Sequence, residues 1–319
     1  MRFIPFTALL VGSWLALPAA AAEAQNWLQR LADAERSQSF QGTFVYERNG
    51  SFSTHRIWHR VEEGGGVHER LLQLDGPAQE VVRVNGQAQC VSGSLSDQVI
   101  DGQAWPAREL NAAQLAEWYE LRVIGESRVA GRKAVVLGLL PRDQHRYGIE
   151  LHLDEASGLP LKSLLINDKG QLLERFQFTE LDVAVAPEPD ALQPTASCRP
   201  VRITEASSTV AGNWRSDWLP PGFELRTISQ RQSPASDESV ACLVYDDGLA
   251  RFSVFLEPLH GITVEDARTQ LGPTVAVSRR LKTDDGDVMV TVVGEIPLGT
   301  AERVALSMST NGTEVQAAQ

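Results

Sequence analysis

The sequence contains 319 residues, with 41 acidic against 29 basic side chains and a formal net charge of −12. A chain of this length exceeds the usual size of one hydrophobic core and favours two domains. The excess of carboxylates argues against a nucleic-acid partner, because the phosphates of a nucleic acid would repel a negatively charged protein. The three cysteines are too few for a disulfide-dense scaffold and have none of the spacings typical of a zinc site.

The first 22 residues have the order of a secretory signal peptide. Arg2 supplies a positive charge, an apolar run extends from Phe3 to Leu17, and small residues end at Ala22. We expect cleavage after Ala22, export from the cytoplasm and a mature chain that begins at Glu23. A retained membrane anchor is the alternative, but the apolar run is shorter than the ~20 residues that span a bilayer.

The large N-terminal part of the mature chain has a pattern typical of antiparallel strands. An amphipathic helix is predicted for residues 23–36, where apolar residues recur at near-helical spacing. After Phe40, short runs rich in Val, Ile, Phe and Tyr are separated by turn signals. Asn49-Gly50 and Asn85-Gly86 each lie between two such runs, which predicts two-residue hairpins. A second helix is predicted to begin after Asn111, a suitable N-cap.

Composition predicts a linker at residues 191–213, which are rich in Pro at first and then in Ser, Thr, Ala and Gly. It would separate a large domain, residues 23–190, from a small domain, residues 214–319. In the small domain, Asp284-Asp285-Gly286 predicts a hairpin between two strands. The expected fold class is α+β, with a sheet in each domain.

A closing helix is predicted near the end of the small domain. Thr300 is the expected cap. Helical spacing places four apolar residues on one face of this helix, which are Ala301, Val304, Ala305 and Met308.

The sequence contains no recognisable motif for a catalytic nucleophile, a phosphate, a dinucleotide or a metal. The nearest metal candidates are His55 and His59, which are four residues apart in a predicted strand. A rise of ~3.3 Å per residue separates them by roughly 13 Å, too far for one metal ion. We expect two solvated histidines, no cofactor, no metal and no enzymatic activity.

Basic residues gather between Thr54 and Arg83 of this acidic chain. Strand alternation places Arg56, Trp58 and Arg60 on one face. Guanidinium groups around an aromatic ring suit an anionic amphiphile. A solvated outer face is the alternative, and such charge patterns more often mean solvent. The candidates for binding an anionic head group are Arg56, Arg60, Arg70 and Arg83.

Apolar residues in the same region are candidates for a ligand cavity. Alternation puts Phe44 and Tyr46 on one face of their strand, and a curved sheet needs apolar residues on its concave side. The residues expected to line or border the cavity are Phe44, Tyr46, Trp58 and Leu72.

The small domain is rich in aromatic residues, which protein-binding sites favour as anchors. For Trp218 and Phe223 the favoured alternative is a rigid turn around Pro220-Pro221 that plugs the domain's own core. The candidates for contacts with a partner are Trp218, Phe223, Phe252 and Phe255.

The cysteines leave two interpretations open. One is a single disulfide and a free thiol, with Cys90–Cys198 preferred among three pairings. The other is three unpaired and mostly buried thiols, Cys242 included.

Several segments of the sequence form a characteristic order. In the large domain they are SFQGTFVYER (39–48), STHRIWHRV (53–61), ERLLQLDG (69–76), VAGRKA (129–134), GLPLK (158–162) and ERFQF (174–178). In the small domain they are WLPPGF (218–223), DGLARFSVFLEP (247–258) and VVGEIPLGTAERV (292–304). Over nearly the whole mature chain, this order resembles the RseB/MucB family of periplasmic regulators, most closely its members from alginate-producing bacteria.

The resemblance implies a fold and a function. The large domain would be similar to the LolA and LolB lipoprotein carriers, with a curved, incompletely closed antiparallel sheet around helices and an apolar cavity. In the periplasm, the protein would bind a single-pass anti-sigma factor of the RseA or MucA type and shield it from the site-1 protease. A lipid or lipopolysaccharide signal would release it and free an envelope-stress sigma factor. The resemblance leaves room for a homo-oligomer.

A periplasmic carrier of lipoproteins or lipids is the alternative function, because the large domain has the carrier fold in both cases. The separate domain after Trp214 is what a simple carrier would lack.

Overall fold

The computed structural model describes residues 16–77, 79–92, 110–201, 214–236, 238–283 and 286–310. Residues 1–15 of the predicted signal peptide, most of the predicted linker and the predicted turn at Asp284-Asp285 lie outside these ranges. Two antiparallel sheets, one large and one small, are the main features of the described chain. The α+β fold class with a smaller C-terminal sheet domain is confirmed.

The large sheet is open. Helix α1 (Ala16–Ser37) precedes it, and helix α2 (Ala112–Trp118) lies between its fifth and sixth strands. The strands are β1 (Phe40–Arg48), β2 (Ser51–Val61), β3 (Val67–Gln73), β4 (Glu80–Val84), β5 (Gln87–Ser92), β6 (Tyr119–Val129), β7 (Arg132–Pro141), β8 (Gly148–Asp154), β9 (Pro160–Ile166), β10 (Leu172–Asp182) and β11 (Arg199–Pro200). Their order is β11-β5-β4-β3-β2-β1-β10-β9-β8-β7-β6, so β11 and β6 are the edges among the described strands, which do not close into a barrel.

Local turn chemistry explains the hairpins and the start of α2. Asn49 and Gly50 have φ of 52° and 72°, and Asn85 and Gly86 have φ of 49° and 67°. Positive φ at both central residues is the requirement of a type I′ turn, which Asn-Gly meets at low cost. Asn111 caps α2, because its side-chain oxygen accepts hydrogen bonds from the backbone N–H groups of residues 113 and 114.

Helix α1 packs inside the curve of the large sheet. Leu28 and Leu31 lie in one apolar cluster with residues of β6, β7 and β8. Ala34 packs one turn later against Phe40 of β1 and Phe178 of β10. A single helix thus contacts strands from both halves of the sheet, which bends around it. The described part of the helix already includes Ala16, within the predicted signal peptide and before the expected start at residue 23.

No helix among the described residues is both long enough and apolar enough to cross a membrane.

Residues 187–200, here called the strap, cross one face of β2, β3 and β4. The strap contains a short 3₁₀ helix, Pro189–Leu192, in which Leu192 is buried. It ends as β11, which pairs with β5. The predicted linker is therefore wrong at its N-terminal end, because residues 191–200 pack on the large sheet. Composition misled the prediction, since a proline-rich segment looks the same whether it is docked or free.

The small domain has a six-stranded sheet covered on one face by a helix. Its elements are β12 (Trp214–Ser216), β13 (Glu224–Gln232), β14 (Ser239–Asp246), β15 (Arg251–Pro258), β16 (Ala267–Leu271), β17 (Thr274–Thr283), β18 (Gly286–Gly294), α3 (Leu298–Leu306) and β19 (Met308–Thr310). The sheet order is β13-β14-β15-β18-β17-β16, and β12 pairs with β19. Apolar residues of α3 and of the sheet form one core cluster.

The closing helix differs from the prediction at both ends. Pro297 occupies the N-cap position, and Thr300 lies inside α3, where it is buried. Met308 is buried in the same core but belongs to β19, after the helix has ended. All four apolar residues of the predicted helical face are nevertheless buried in one core cluster. Three of them lie in α3, and Met308 lies in the strand that follows.

Candidate functional site

The two faces of the sheet at β1 to β3 carry different chemistry. Directly paired residues on antiparallel strands point to the same face. Phe44 pairs with His55 of β2 and Phe178 of β10, which belongs to the apolar cluster beneath α1, so this is the inner face. Trp58 pairs with Gln41 and Arg70, on the opposite, outer face.

The four predicted cavity residues divide between these faces. Phe44 and Tyr46 lie on the inner face, whereas Trp58 and Leu72 lie on the outer face. The expectation that all four line one cavity is therefore wrong. The pairing of β1 with β2 separates them, because the two-residue turn pairs Arg48 with Ser51 and every later pair follows from it.

Histidines and aromatic rings alternate on the inner face. The ring of His55 stacks on Phe44 at 5.1 Å, and the ring of His59 stacks on Phe40 at 4.6 Å. His59 is buried, with Nε2 donating to the carbonyl of Glu35. The expectation of two solvated histidines is wrong, because His59 is buried against α1 and His55 is half-buried against the ring of Phe44.

A partly buried carboxyl, that of Glu174, lies at the end of the inner face. The Tyr46 hydroxyl donates to Glu174 Oε2 at 2.6 Å. Burial, and after it the charge of Glu295, raises the pKa of Glu174 to about 7. The neighbouring Arg48 counteracts this shift, and burial also raises the pKa of Tyr46. A group with such a pKa changes charge close to neutral pH.

The outer face holds Trp58 between two guanidinium groups. Arg56 and Arg70 lie 5.2 Å and 5.0 Å from the centre of its ring, within the range of cation–π attraction. Two arginines of this face are hydrogen-bonded to the strap. Arg60 donates to the carbonyl of Pro187, and Arg70 donates to the carbonyl of Ala191. Only the more exposed Arg56 presents its side chain largely to solvent.

The fourth predicted head-group residue lies on the other face. Arg83 pairs with Glu69, which pairs with His59 on the inner side. The four arginines therefore do not surround one anionic site, and the prediction of a shared site is wrong. Strand alternation within β2 was correct, but it does not extend to Arg83.

The strap is fixed to the sheet by charge and by a covalent bond. The carboxylate of Glu80, 1% exposed, accepts hydrogen bonds from Arg70 and from the Thr195 hydroxyl. Cys90 and Cys198 are joined by a disulfide, with their Cα atoms 5.5 Å apart. The remaining thiol, Cys242, is buried in the small domain.

A second buried carboxylate lies where the two domains meet. Arg146, from the β7–β8 loop, donates from Nη1 to Asp247 Oδ2 at 2.6 Å, and neither side chain has exposed surface. Tyr119 of β6 donates its hydroxyl to the same oxygen at 3.2 Å. The other oxygen, Asp247 Oδ1, accepts backbone N–H groups of Leu249 and Ala250. The acid is thus held by one turn of the small domain and by two groups of the large domain.

The Arg146 guanidinium is enclosed by aromatic rings from both domains. Its central carbon lies 5.9 Å from the ring of Trp118, 5.4 Å from that of Tyr119 and 5.2 Å from that of Phe223. It also donates to Asp143 and to the carbonyl of Pro221. Burial of a charge is costly unless it is paired in this way.

Three further contacts extend the junction. Tyr147 donates its hydroxyl to the carbonyl of Ile296 at 3.1 Å. The ring of His145 meets Trp218 edge-on at 5.1 Å. Arg48 donates to Glu295 at 2.8 Å and lies 3.9 Å from Glu174. The hairpin tip that carries Arg48 borders an open cleft of about 460 Å³, lined by residues of both domains.

The four aromatic residues predicted to bind a partner have different positions. Phe223 and Phe252 are buried in the core of the small domain, so they are not available as surface anchors. Trp218 is half-buried at the junction, where Arg303 lies 3.8 Å from its ring centre. Phe255 is half-buried on the sheet face opposite α3. The prediction is wrong for Phe223 and Phe252, and the alternative of a core-plugging turn describes Phe223.

Sequence reasoning missed Arg146 and Asp247, the two central residues of the junction. They are 101 positions apart. The local pattern is the dipeptide Asp247-Gly248, which predicts a tight turn and therefore a solvent-exposed carboxylate. Nothing local indicates that an arginine from another domain covers it.

Across the part of the chain that the structure describes, no three His, Cys, Asp or Glu side chains are grouped to hold a metal ion.

Comparison with known proteins identifies the family. The profile of the MucB/RseB N-terminal domain matches residues 23–196, and that of the MucB/RseB C-terminal domain matches residues 208–309. The sigma factor AlgU regulatory protein MucB of Pseudomonas aeruginosa is 66% identical over 301 residues, which cover 94% of this chain and 95% of that protein.

Two solved structures are similar over the same span. A chain of the Pseudomonas aeruginosa MucA/MucB complex is 65% identical, with a TM-score of 0.81, and covers 91% of this chain and 100% of its own length. A crystal structure of MucB is 64% identical, with a TM-score of 0.71, and covers 91% and 98%. The two family profiles together match most of the sequence, and this chain belongs to the MucB/RseB family.

Proposed function

We propose that this chain is a periplasmic negative regulator of an envelope-stress sigma factor of the AlgU or sigma-E type. It acts by binding the periplasmic domain of a transmembrane anti-sigma factor of the MucA or RseA type. The observation that carries this proposal is the 66% identity to MucB across 94% of the chain. The similarity to a MucB chain solved together with MucA supports the choice of partner.

Binding alone accounts for the regulatory effect. A protease cuts accessible, extended segments, so a protein that covers them lowers the cleavable fraction by mass action. At a concentration ~100 times Kd, the target is stabilised by about 2.7 kcal/mol. This mechanism needs no catalytic residue. It needs a stable surface, which a junction with a fully paired buried charge helps to provide.

A lipid signal relieves the block only if it binds the released form more tightly than the complex. A coupling free energy of ~1 to 3 kcal/mol is typical of such linkage. The inner face of the large sheet is the place we propose for the acyl chain, because Phe44, Ile57, Leu71 and Phe176 belong to one apolar cluster there. Tyr46 and Glu174 lie at its polar end.

Export precedes this function. We propose cleavage after Ala22, so that the mature chain begins at Glu23 in the periplasm. Mass spectrometry of protein purified from its natural host measures this directly. A mass that includes Met1 would contradict export by a cleaved signal peptide.

The partner is tested by affinity capture from a periplasmic and membrane extract, followed by mass spectrometry. We expect one membrane anti-sigma factor to be retained in stoichiometric amount. Capture of many lipoproteins, with no anti-sigma factor, would contradict the proposal and support the carrier alternative. An unrelated periplasmic protein with the same affinity tag is the control.

A further inference from the structure

The buried ion pair at the junction has two stable conditions. When the domains are together, Arg146 pairs with Asp247 and with Asp143 of its own loop, and the side chains of Arg146 and Asp247 are fully buried. When the domains are apart, water hydrates both. A partly opened junction that keeps Asp247 dry but separates it from Arg146 is unfavourable, because a buried charge without its ionic partner carries a large desolvation cost. Such a contact favours discrete closed and open arrangements over a continuum.

Other contacts of the junction lie on the segments that this ion pair joins. Trp118 lies against Gly222, where an added Cβ would approach the indole to 2.3 Å. Leu249, next to the Asp247 turn, packs on the core cluster of the large domain. Both contacts are on segments that Arg146 joins directly, through Pro221 and Asp247. Loss of the pair would therefore loosen the whole contact.

An ion pair within the large domain provides a comparison for the pair that joins the two domains. Arg132 and Asp154 form two hydrogen bonds, of 3.0 Å and 2.8 Å, and Asp154 is 2% exposed. Both residues belong to neighbouring strands of the large sheet. That pair stabilises one domain, whereas Arg146–Asp247 joins two.

We propose that Arg146–Asp247 is the catch that holds the two domains in the arrangement that binds the anti-sigma factor. This inference rests on the proposed function and adds how binding is controlled. The structure superposes with a TM-score of 0.81 on the MucB chain solved with MucA and 0.71 on the MucB chain of the other crystal structure, a difference between those structures at nearly equal identity. Opening the catch lowers affinity for the partner, and partner binding in turn favours the closed catch.

The test uses the full mature chain and the purified periplasmic domain of a MucA-type anti-sigma factor. The variants are Arg146→Gln and Asp247→Asn, with Arg132→Gln as the matched control inside one domain. Isothermal titration calorimetry measures Kd, and small-angle X-ray scattering measures the radius of gyration. We expect both junction variants to expand and to bind at least about tenfold more weakly. The control is expected to keep the wild-type size and Kd.

A milder variant guards against simple unfolding. Tyr119→Phe removes only the hydroxyl that donates to Asp247, and we expect a smaller loss of affinity in the same direction. Circular dichroism verifies that each variant is folded. Expanded variants that bind with wild-type Kd would overturn the inference, and so would variants that remain compact. Failure of the wild-type chain to bind would instead overturn the proposed function, and the inference with it.

Discussion

The strap and the domain junction are each held in place by a buried carboxylate with nearly the same hydrogen-bond partners. At the strap, a buried carboxylate, Glu80, accepts from Arg70 and from a hydroxyl. At the junction, Asp247 accepts from Arg146 and from a hydroxyl. The strap has a disulfide in addition, and the described junction contacts are all non-covalent. The strap is therefore fixed to the large domain by a covalent bond as well as by charge, whereas the proposed catch holds the junction by non-covalent contacts.

The largest expected effect comes from removing each buried acid. We expect Glu80→Ala and Asp247→Ala each to lose about 3–5 kcal/mol of stability, because each change removes a buried carboxylate that pairs with an arginine and accepts from a hydroxyl group. Differential scanning calorimetry separates the two regions. Asp247→Ala should separate unfolding into two transitions, one for each domain, while Glu80→Ala should lower the unfolding temperature and keep the number of transitions seen for the wild type. Identical thermograms for the two variants would contradict the comparison.

The disulfide is the next largest contribution. Replacing both Cys90 and Cys198 by Ser should cost about 2–4 kcal/mol in denaturant unfolding, since the bond closes a long loop in the unfolded chain. The strap should become sensitive to limited proteolysis, while the affinity for the anti-sigma domain stays unchanged. Cys242→Ala, which keeps the disulfide, is the control. An equal loss of affinity and of stability would show that the strap and the junction act as one unit.

Gly222 tests the junction by steric means. Its φ is +83°, and an added Cβ would meet the Trp118 ring at 2.3 Å. We expect Gly222→Ala to cost about 1–3 kcal/mol, from backbone strain and overpacking. Gly131→Ala is the matched control, because Gly131 has φ of +75° and open space around it. Equal losses in denaturant unfolding would mean that the contact with Trp118 contributes nothing.

The smallest expected effect is the pH dependence from Glu174. Its pKa is raised from 4.5 to about 7 in the folded protein, so its contribution to stability is fully present below pH 4.5 and is lost as the pH rises to 7. Glu174→Gln removes the titrating carboxyl, so the free energy of unfolding should fall less steeply as the pH rises from 4.5 to 7. Urea unfolding at pH 4.5, 6 and 8 measures it. A variant that keeps the wild-type slope would show that another group is responsible.

Local chemistry predicted the parts of the fold that depend on neighbours in sequence. Asn-Gly turns require positive φ, and both predicted hairpins are present. The Asn49-Gly50 turn also fixes the register, and this register places Trp58 on the sheet face opposite that of Phe44. An amino-acid pattern can thus settle a sheet face when the turn length is known.

The junction was beyond this reasoning for a physical reason. A charged residue has the same local pattern whether it is solvated or buried against a distant partner, and Arg146 meets Asp247 only in the folded chain. The same ambiguity made Phe223 and Phe252 look like surface anchors. Aromatic residues serve cores and interfaces equally well, so composition alone does not separate the two.

The rate of site-1 proteolysis of the anti-sigma periplasmic domain, measured with and without this chain, tests the central claim most directly. The account predicts that the wild-type chain slows cleavage in proportion to the bound fraction, and that Arg146→Gln protects only at higher concentration. Cleavage at the same rate with and without a saturating amount of the wild-type chain would contradict the claim that it shields its partner.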